Sequence, residues 1–107
     1  MTIEKRVSAR NPTQAPIDCR LLSSRENAWH IDGVLRNFSP KGAYFESRCN
    51  CRKGSVLIVR ILEYPKEETS GNSQAVIRSI GLAEVKWVHP MGGVPEQGYG
   101  IGLKYLN

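Results

Sequence analysis

Arg6 and Arg10 stand near the start of the chain, in the stretch Lys5-Arg6-Val7-Ser8-Ala9-Arg10. A guanidinium is a planar fork of donors. It meets a phosphate, or the O6/N7 edge of guanine, with two parallel hydrogen bonds, and its plane stacks on a base. Two arginines at this spacing converge on one ligand only where the segment turns or wraps. Lys5 adds positive charge beside them without the fork. Taken alone the pattern is weak, since charged N-terminal tails often contain such a pair and the plain reading is a solvated tail; for Lys5 the two readings weigh about equally. A second polar cluster follows in Asn37-Phe38-Ser39-Pro40-Lys41-Gly42. Asn37 carries both a donor and an acceptor and Ser39 a hydroxyl, so they can read a base edge or hold a phosphate. The plainer reading is a turn in which these side chains satisfy backbone amides. Gly42 is expected to supply a backbone conformation that a side chain would resist.

Other reactive side chains carry less. Cys49-Asn50-Cys51 has one residue between its thiols, whereas structural zinc sites space paired cysteines by two to four and add a second pair or histidines. No structural metal is expected, and the pair reads as a surface turn. Cys19 lies in an apolar strand pattern and reads as a buried small hydrophobe. His30 and His89 have no evident acid or nucleophile partner in the sequence. Ser8, Ser39 and Cys49 show no nucleophile elbow, triad order or oxyanion loop. Catalysis is not expected, and neither is a cofactor. Trp29, Phe45 and Trp87 could stack on bases, but strand parity favours burial for most of them.

The elements that must position these groups are strands. Ile17, Cys19 and Leu21 share one parity over residues 17–22, with Asp18 and Arg20 on the other. Trp29, Ile31, Gly33 and Leu35 form the next half-buried set. A break at Pro40-Lys41-Gly42 precedes a strand beginning at Ala43, with Ala43 and Phe45 on one face. Residues 55–62 are nearly all apolar and β-branched. Residues 65–73 read as a polar hairpin loop. Residues 74–88 read as one long strand, bent or bulged at Gly81, with Ala83, Val85 and Trp87 facing inward. Residues 90–98 form a second loop. Tyr99, Ile101, Leu103 and Tyr105 then share a face of the last strand.

About six strands with short turns in 107 residues predict a single all-β domain, a closed or nearly closed antiparallel barrel. Residues 1–16 are expected to be a flexible, arginine-bearing N-terminal segment, with residues 1–10 mobile until ligand binds, and residues 17–107 the barrel.

The two polar clusters, taken together, resemble the PilZ family, which binds the bacterial second messenger cyclic di-GMP. The family pattern is Arg-x-x-x-Arg followed by Asp/Asn-x-Ser-x-x-Gly. Arg6 and Arg10 match the first part, and Asn37, Ser39 and Gly42 the second. The stretch from Gly81 to Trp87 and the closing Tyr99-Gly100-Ile101-Gly102-Leu103-Lys104-Tyr105 look like the family's last two barrel strands. The resemblance implies a six-stranded antiparallel barrel; family domains often end in a helix, and with the sequence stopping at Asn107 little or no C-terminal helix is expected. It implies that Arg6 and Arg10 contact phosphates and guanine, that Asn37 and Ser39 contact a base edge or orient an arginine, and that Gly42 shapes the turn. Lys5 is implied to influence ligand stoichiometry.

The net charge of +5 suits an anionic partner. No apolar run is long enough to span a bilayer, and no apolar stretch follows Lys5 and Arg6 as a signal peptide would require. A cytoplasmic location is therefore expected, without membrane insertion. The basic residues are not clustered on a helix, so duplex DNA is not an expected partner. The expected function is a cyclic di-GMP receptor or adaptor acting on a downstream protein. The alternatives are a protein-interaction barrel that binds no nucleotide and a binder of single-stranded nucleic acid. The sequence shows no outward aromatic stripe to favour the last of these.

Overall fold

The computed structural model describes residues 11–22, 30–64 and 78–107. Six strands follow in chain order: β1 (Asn11–Leu21), β2 (His30–Phe38), β3 (Gly42–Ser47), β4 (Val56–Ile61), β5 (Ile80–Pro90) and β6 (Tyr99–Tyr105). They close in the order β1-β2-β3-β6-β5-β4, every neighbour antiparallel, and β4 returns to pair with β1. Two short 3-10 turns, Met91–Gly93 and Pro95–Gln97, link β5 to β6. No helix among the described residues is long and apolar enough to cross a membrane.

Alternation of apolar and polar residues builds the barrel. Ile17 and Cys19 from β1, Ile31 and Leu35 from β2, and Phe45 from β3 are fully enclosed, as are Leu57, Val85 and Ile101 from the other three strands. Their outward neighbours carry the polar groups. Closure pairs β4 with β1 over Ile17–Leu21, so no strand is an edge strand, although the first half of β1 pairs only with β2.

Three features differ from the sequence reading. β1 begins at Asn11, not at Ile17, so residues 11–16, assigned to the loose segment, are strand. Pro12 and Pro16 obscured this: proline lacks a ladder donor, and the register of β1 against β2 shifts between Pro12 and Ala15. Gly81 stays in unbroken register with Val59, and the irregularity in β5 lies between Val85 and Trp87. Trp87 consequently faces outward, 42% exposed, instead of joining Ala83 and Val85 in the core. The expected strand over 74–88 starts at Ile80 among the described residues, and residues 74–77 lie outside them.

Candidate functional site

Asn37, Ser39 and Gly42 come together where β2 turns into β3. The backbone amide of Ser39 donates to the Gly42 carbonyl at 2.9 Å, closing the turn. The Ser39 hydroxyl oxygen accepts from the amides of Lys41 and Gly42, both at 3.3 Å. Ser39 therefore organises the turn, the plainer of its two sequence readings, and any contact with ligand would be added to that work.

Gly42 has a different reason from the one expected. It does not adopt a positive φ. It pairs with Lys104 on β6, and a Cβ at this position would be driven into the Leu103 carbonyl oxygen. Close approach of two backbones, not left-handed geometry, requires glycine here.

Two bulges place side chains that simple alternation would bury. In β2 the register shifts between Leu35 and Asn37, so Asn37 pairs with Tyr44 on the outer face while Phe38 returns to the core opposite Ala43. In β5 the shift between Val85 and Trp87 does the same for Trp87, which pairs with Gly102. Tyr44 also pairs with Gly102. Asn37, Tyr44, Gly102 and Trp87 thus form one continuous row across four strands. A bulge inserts one residue and re-aims those that follow it.

The row carries an aromatic shelf. Tyr44 and Trp87 stack with ring centroids 5.6 Å apart and an interplanar angle of 27°, and Trp87 stacks on His89 at 4.9 Å and 19°. The rings overlap one another, and the glycines of β6 make room for them. A Cβ on Gly102 would collide with the Trp87 indole, and one on Gly100 would stand 2.7 Å from the Tyr44 hydroxyl oxygen. The Tyr44 hydroxyl donates to Glu46 Oε2 at 2.9 Å, and Arg36 Nε donates to Glu46 Oε1 at 3.0 Å. Burial, then the hydrogen bond and negative charge of Glu46, push the Tyr44 phenol above its ordinary value, with Arg36 opposing. Tyr44 therefore stays protonated, and its O–H bond to Glu46 fixes the ring. The sequence reading assigned Trp87 to the core and found no outward aromatic stripe; the bulge in β5 overturns both. Phe45, by contrast, is fully buried.

Arg6, Arg10 and Lys5 lie outside the described residues, as do Trp29 and the expected mobility of residues 1–10. The structure does fix the point from which the arginine segment departs. Asn11 pairs with Phe38 and Pro12 with Asn37, and the Asn11 side-chain amide donates to the Phe38 carbonyl at 3.2 Å.

Elsewhere, His30 Nδ1 lies 2.8 Å from Asp18 Oδ1, an acid partner that the sequence did not reveal because the two meet only across the β1–β2 ladder. Cys19 is buried, Cys51 half-buried and Cys49 exposed. No group of three or more metal-ligating side chains occurs among the described residues.

No protein-family model matches the chain, and neither does any curated protein sequence. Among solved structures, the inhibitor of motility MotI/DgrA of Bacillus subtilis is similar over 98% of this chain, with a TM-score of 0.63 and 17% identity. The match spans 44% of that protein's length. The likeness is one of fold, and it supports a PilZ-like barrel.

Proposed function

We propose that this domain is a receptor for cyclic di-GMP, held between the arginine segment and the outer face at the β2–β3 turn. The observation that carries the reading is the register of β1. Asn11 and Pro12 lie opposite Phe38 and Asn37, which joins the arginine segment to the turn bearing Asn37, Ser39 and Gly42. On this reading the chain entering β1 brings the arginine motif to the same end of the barrel as the turn.

The division of work follows from side-chain chemistry. Arg6 and Arg10 supply bidentate contacts to phosphate and to guanine O6/N7. The turn presents Asn37 and Ser39 from the barrel side. The Tyr44–Trp87–His89 stack leaves Trp87 partly exposed, and its uncovered aromatic surface is where a guanine would stack. Lys5 and the net charge of +5 attract the anion. Closing the arginine segment over the ligand would change the surface shown to a downstream protein, an adaptor role without catalysis in the cytoplasm.

The exposed shelf favours one second reading, a binder of single-stranded nucleic acid, because base–aromatic stacking is indifferent to sequence. Calorimetric titration with cyclic di-GMP, linear diguanylate and a short oligonucleotide separates the two. The receptor reading expects tightest binding of the cyclic ligand. It also expects Arg10→Ala or Arg6→Ala to weaken that binding roughly ten- to a few hundredfold, since each charge-assisted hydrogen bond contributes about 1.5–3 kcal/mol. Arg10→Lys should not restore it, because an ammonium lacks the fork. Preference for the oligonucleotide, or equal cyclic di-GMP affinity in wild type and both alanine variants, would refute the receptor reading.

A further inference from the structure

The turn that carries Ser39 and Gly42 is held from outside by a residue distant in sequence. Arg78, half-buried just before β5, extends its guanidinium across the end of the barrel. Nη2 donates to the Pro40 carbonyl at 3.1 Å. Nη1 donates to the Asn107 backbone oxygen at 2.8 Å and reaches the Asn107 side-chain oxygen at 3.4 Å. The guanidinium carbon lies 4.1 Å from the centroid of the Tyr105 ring. The neighbouring carbonyl of the turn, that of Lys41, accepts from the Tyr105 amide at 2.8 Å. Two successive carbonyls of the turn are thus tied to residues 105–107, one directly and one through Arg78. The Asn107 side-chain oxygen also accepts from the Leu82 amide at 3.4 Å.

This arrangement suits a fork and not a point charge. One arm holds the turn, the other holds the chain beyond β6, and the plane between them rests on an aromatic face. The amides of the turn are already occupied by Ser39, so Arg78 completes its immobilisation from the carbonyl side.

We propose that Arg78 is the positioning residue of the ligand turn, coupling occupancy of that turn to the order of residues 105–107. The ligand half of this inference rests on the receptor reading above; the mechanical half does not. Coupling is reciprocal: if ligand steadies the turn, it steadies residues 105–107, and loosening either weakens the other. Arg78 transmits this without touching the ligand.

The test is amide hydrogen exchange by NMR on the full chain, with and without cyclic di-GMP, for wild type, Arg78→Met and Arg78→Lys, each checked for folding by thermal unfolding. In wild type, ligand should slow exchange at Tyr105 and Leu106. In free Arg78→Met, exchange at Lys41, Gly42 and Tyr105 should quicken. Its ligand affinity should fall about fivefold or more, and the ligand-induced slowing at residues 105–106 should vanish. Arg78→Lys keeps the charge near Tyr105 but cannot span Pro40 and Asn107, so it should behave like Arg78→Met. Wild-type exchange in Arg78→Met, or full rescue by Arg78→Lys, would overturn the proposal. If wild type itself does not bind cyclic di-GMP, the receptor reading fails alone. The clamp then stands or falls on whether Arg78→Met quickens exchange at Lys41 and Tyr105 in the free protein.

Discussion

The two ends of the barrel use different balances of side-chain anchoring and glycine turns. At one end the β2–β3 turn, the start of β1 and residues 105–107 are joined by side-chain hydrogen bonds from Asn11, Ser39 and Arg78. At the other, the β3–β4 and β5–β6 connections turn on glycine backbone geometry, with a side-chain anchor at Ser47, whose hydroxyl donates to the Asp32 carbonyl and accepts from the Cys49 amide. All four positive-φ glycines among the described residues, Gly54, Gly92, Gly93 and Gly98, lie in these two connections. That far end also holds Cys49 and Cys51 and a cleft of about 640 Å³ lined in part by Leu21, Leu22, Cys51 and Arg52. Glycine turns change direction in few residues but leave side-chain positions unspecified. Carbonyls and amides fixed by distant side chains specify geometry, which a ligand site requires.

The largest expected contrast is between two glycines. Gly42→Ala forces a methyl into the Leu103 carbonyl inside the β3–β6 ladder, where neither backbone can retreat. It should cost about 3 kcal/mol, at the upper end for overpacking. Gly54→Ala, at φ +92° with nothing within 4 Å of the added methyl, should cost about 1 kcal/mol through backbone strain alone. Urea unfolding of both variants measures the difference, and equal midpoints would remove the distinction between the ends.

Next comes the shelf. Trp87→Ala should lower cyclic di-GMP affinity by about 2 kcal/mol, roughly thirtyfold, with little change in stability because the ring is outside the core. Calorimetry beside a thermal melt checks both halves. A variant that binds normally would confine the site to the turn and the arginines.

A smaller contrast lies within the far end. Burial, and secondarily the charge of Cys49, push the Cys51 thiol from its ordinary 9.0 up to about 11. At pH 8 its thiolate is correspondingly scarcer. Allowing for the greater nucleophilicity of a more basic thiolate, Cys51 should alkylate about tenfold more slowly than an ordinary exposed thiol. Cys49 should react first and Cys19 only on unfolding, which timed mass spectrometry resolves. Alkylation of Cys49 should leave ligand affinity unchanged if the site occupies the opposite end. The smallest effect belongs to Lys5→Ala, about a twofold loss of affinity that shrinks with added salt, as long-range attraction does. A loss that persists at high salt would make Lys5 a direct contact.

The sequence revealed the strands and the closed six-stranded barrel because Ile17/Cys19, Ile31/Leu35 and Ala83/Val85 alternate cleanly or nearly so. It revealed the turn because Asn37, Ser39, Pro40 and Gly42 are turn formers. It could not reveal Trp87 on the surface, since a bulge leaves no mark on composition and every parity assignment beyond it inverts. It could not reveal why position 42 is glycine, because the obstacle is the backbone of Leu103, brought there by β3–β6 pairing. Arg78 and the His30–Asp18 pair are likewise products of topology: each joins groups that are remote along the chain.

A receptor of this build would hold its ligand at the end where β1 begins. Chemical-shift mapping with cyclic di-GMP tests this most directly. The largest shifts should fall on Asn11, residues 37–42, Tyr44 and the Trp87 indole, while residues 49–56 stay in place. Absence of shifts at saturating ligand, or shifts centred on residues 49–56 and the cleft beside them, would contradict it.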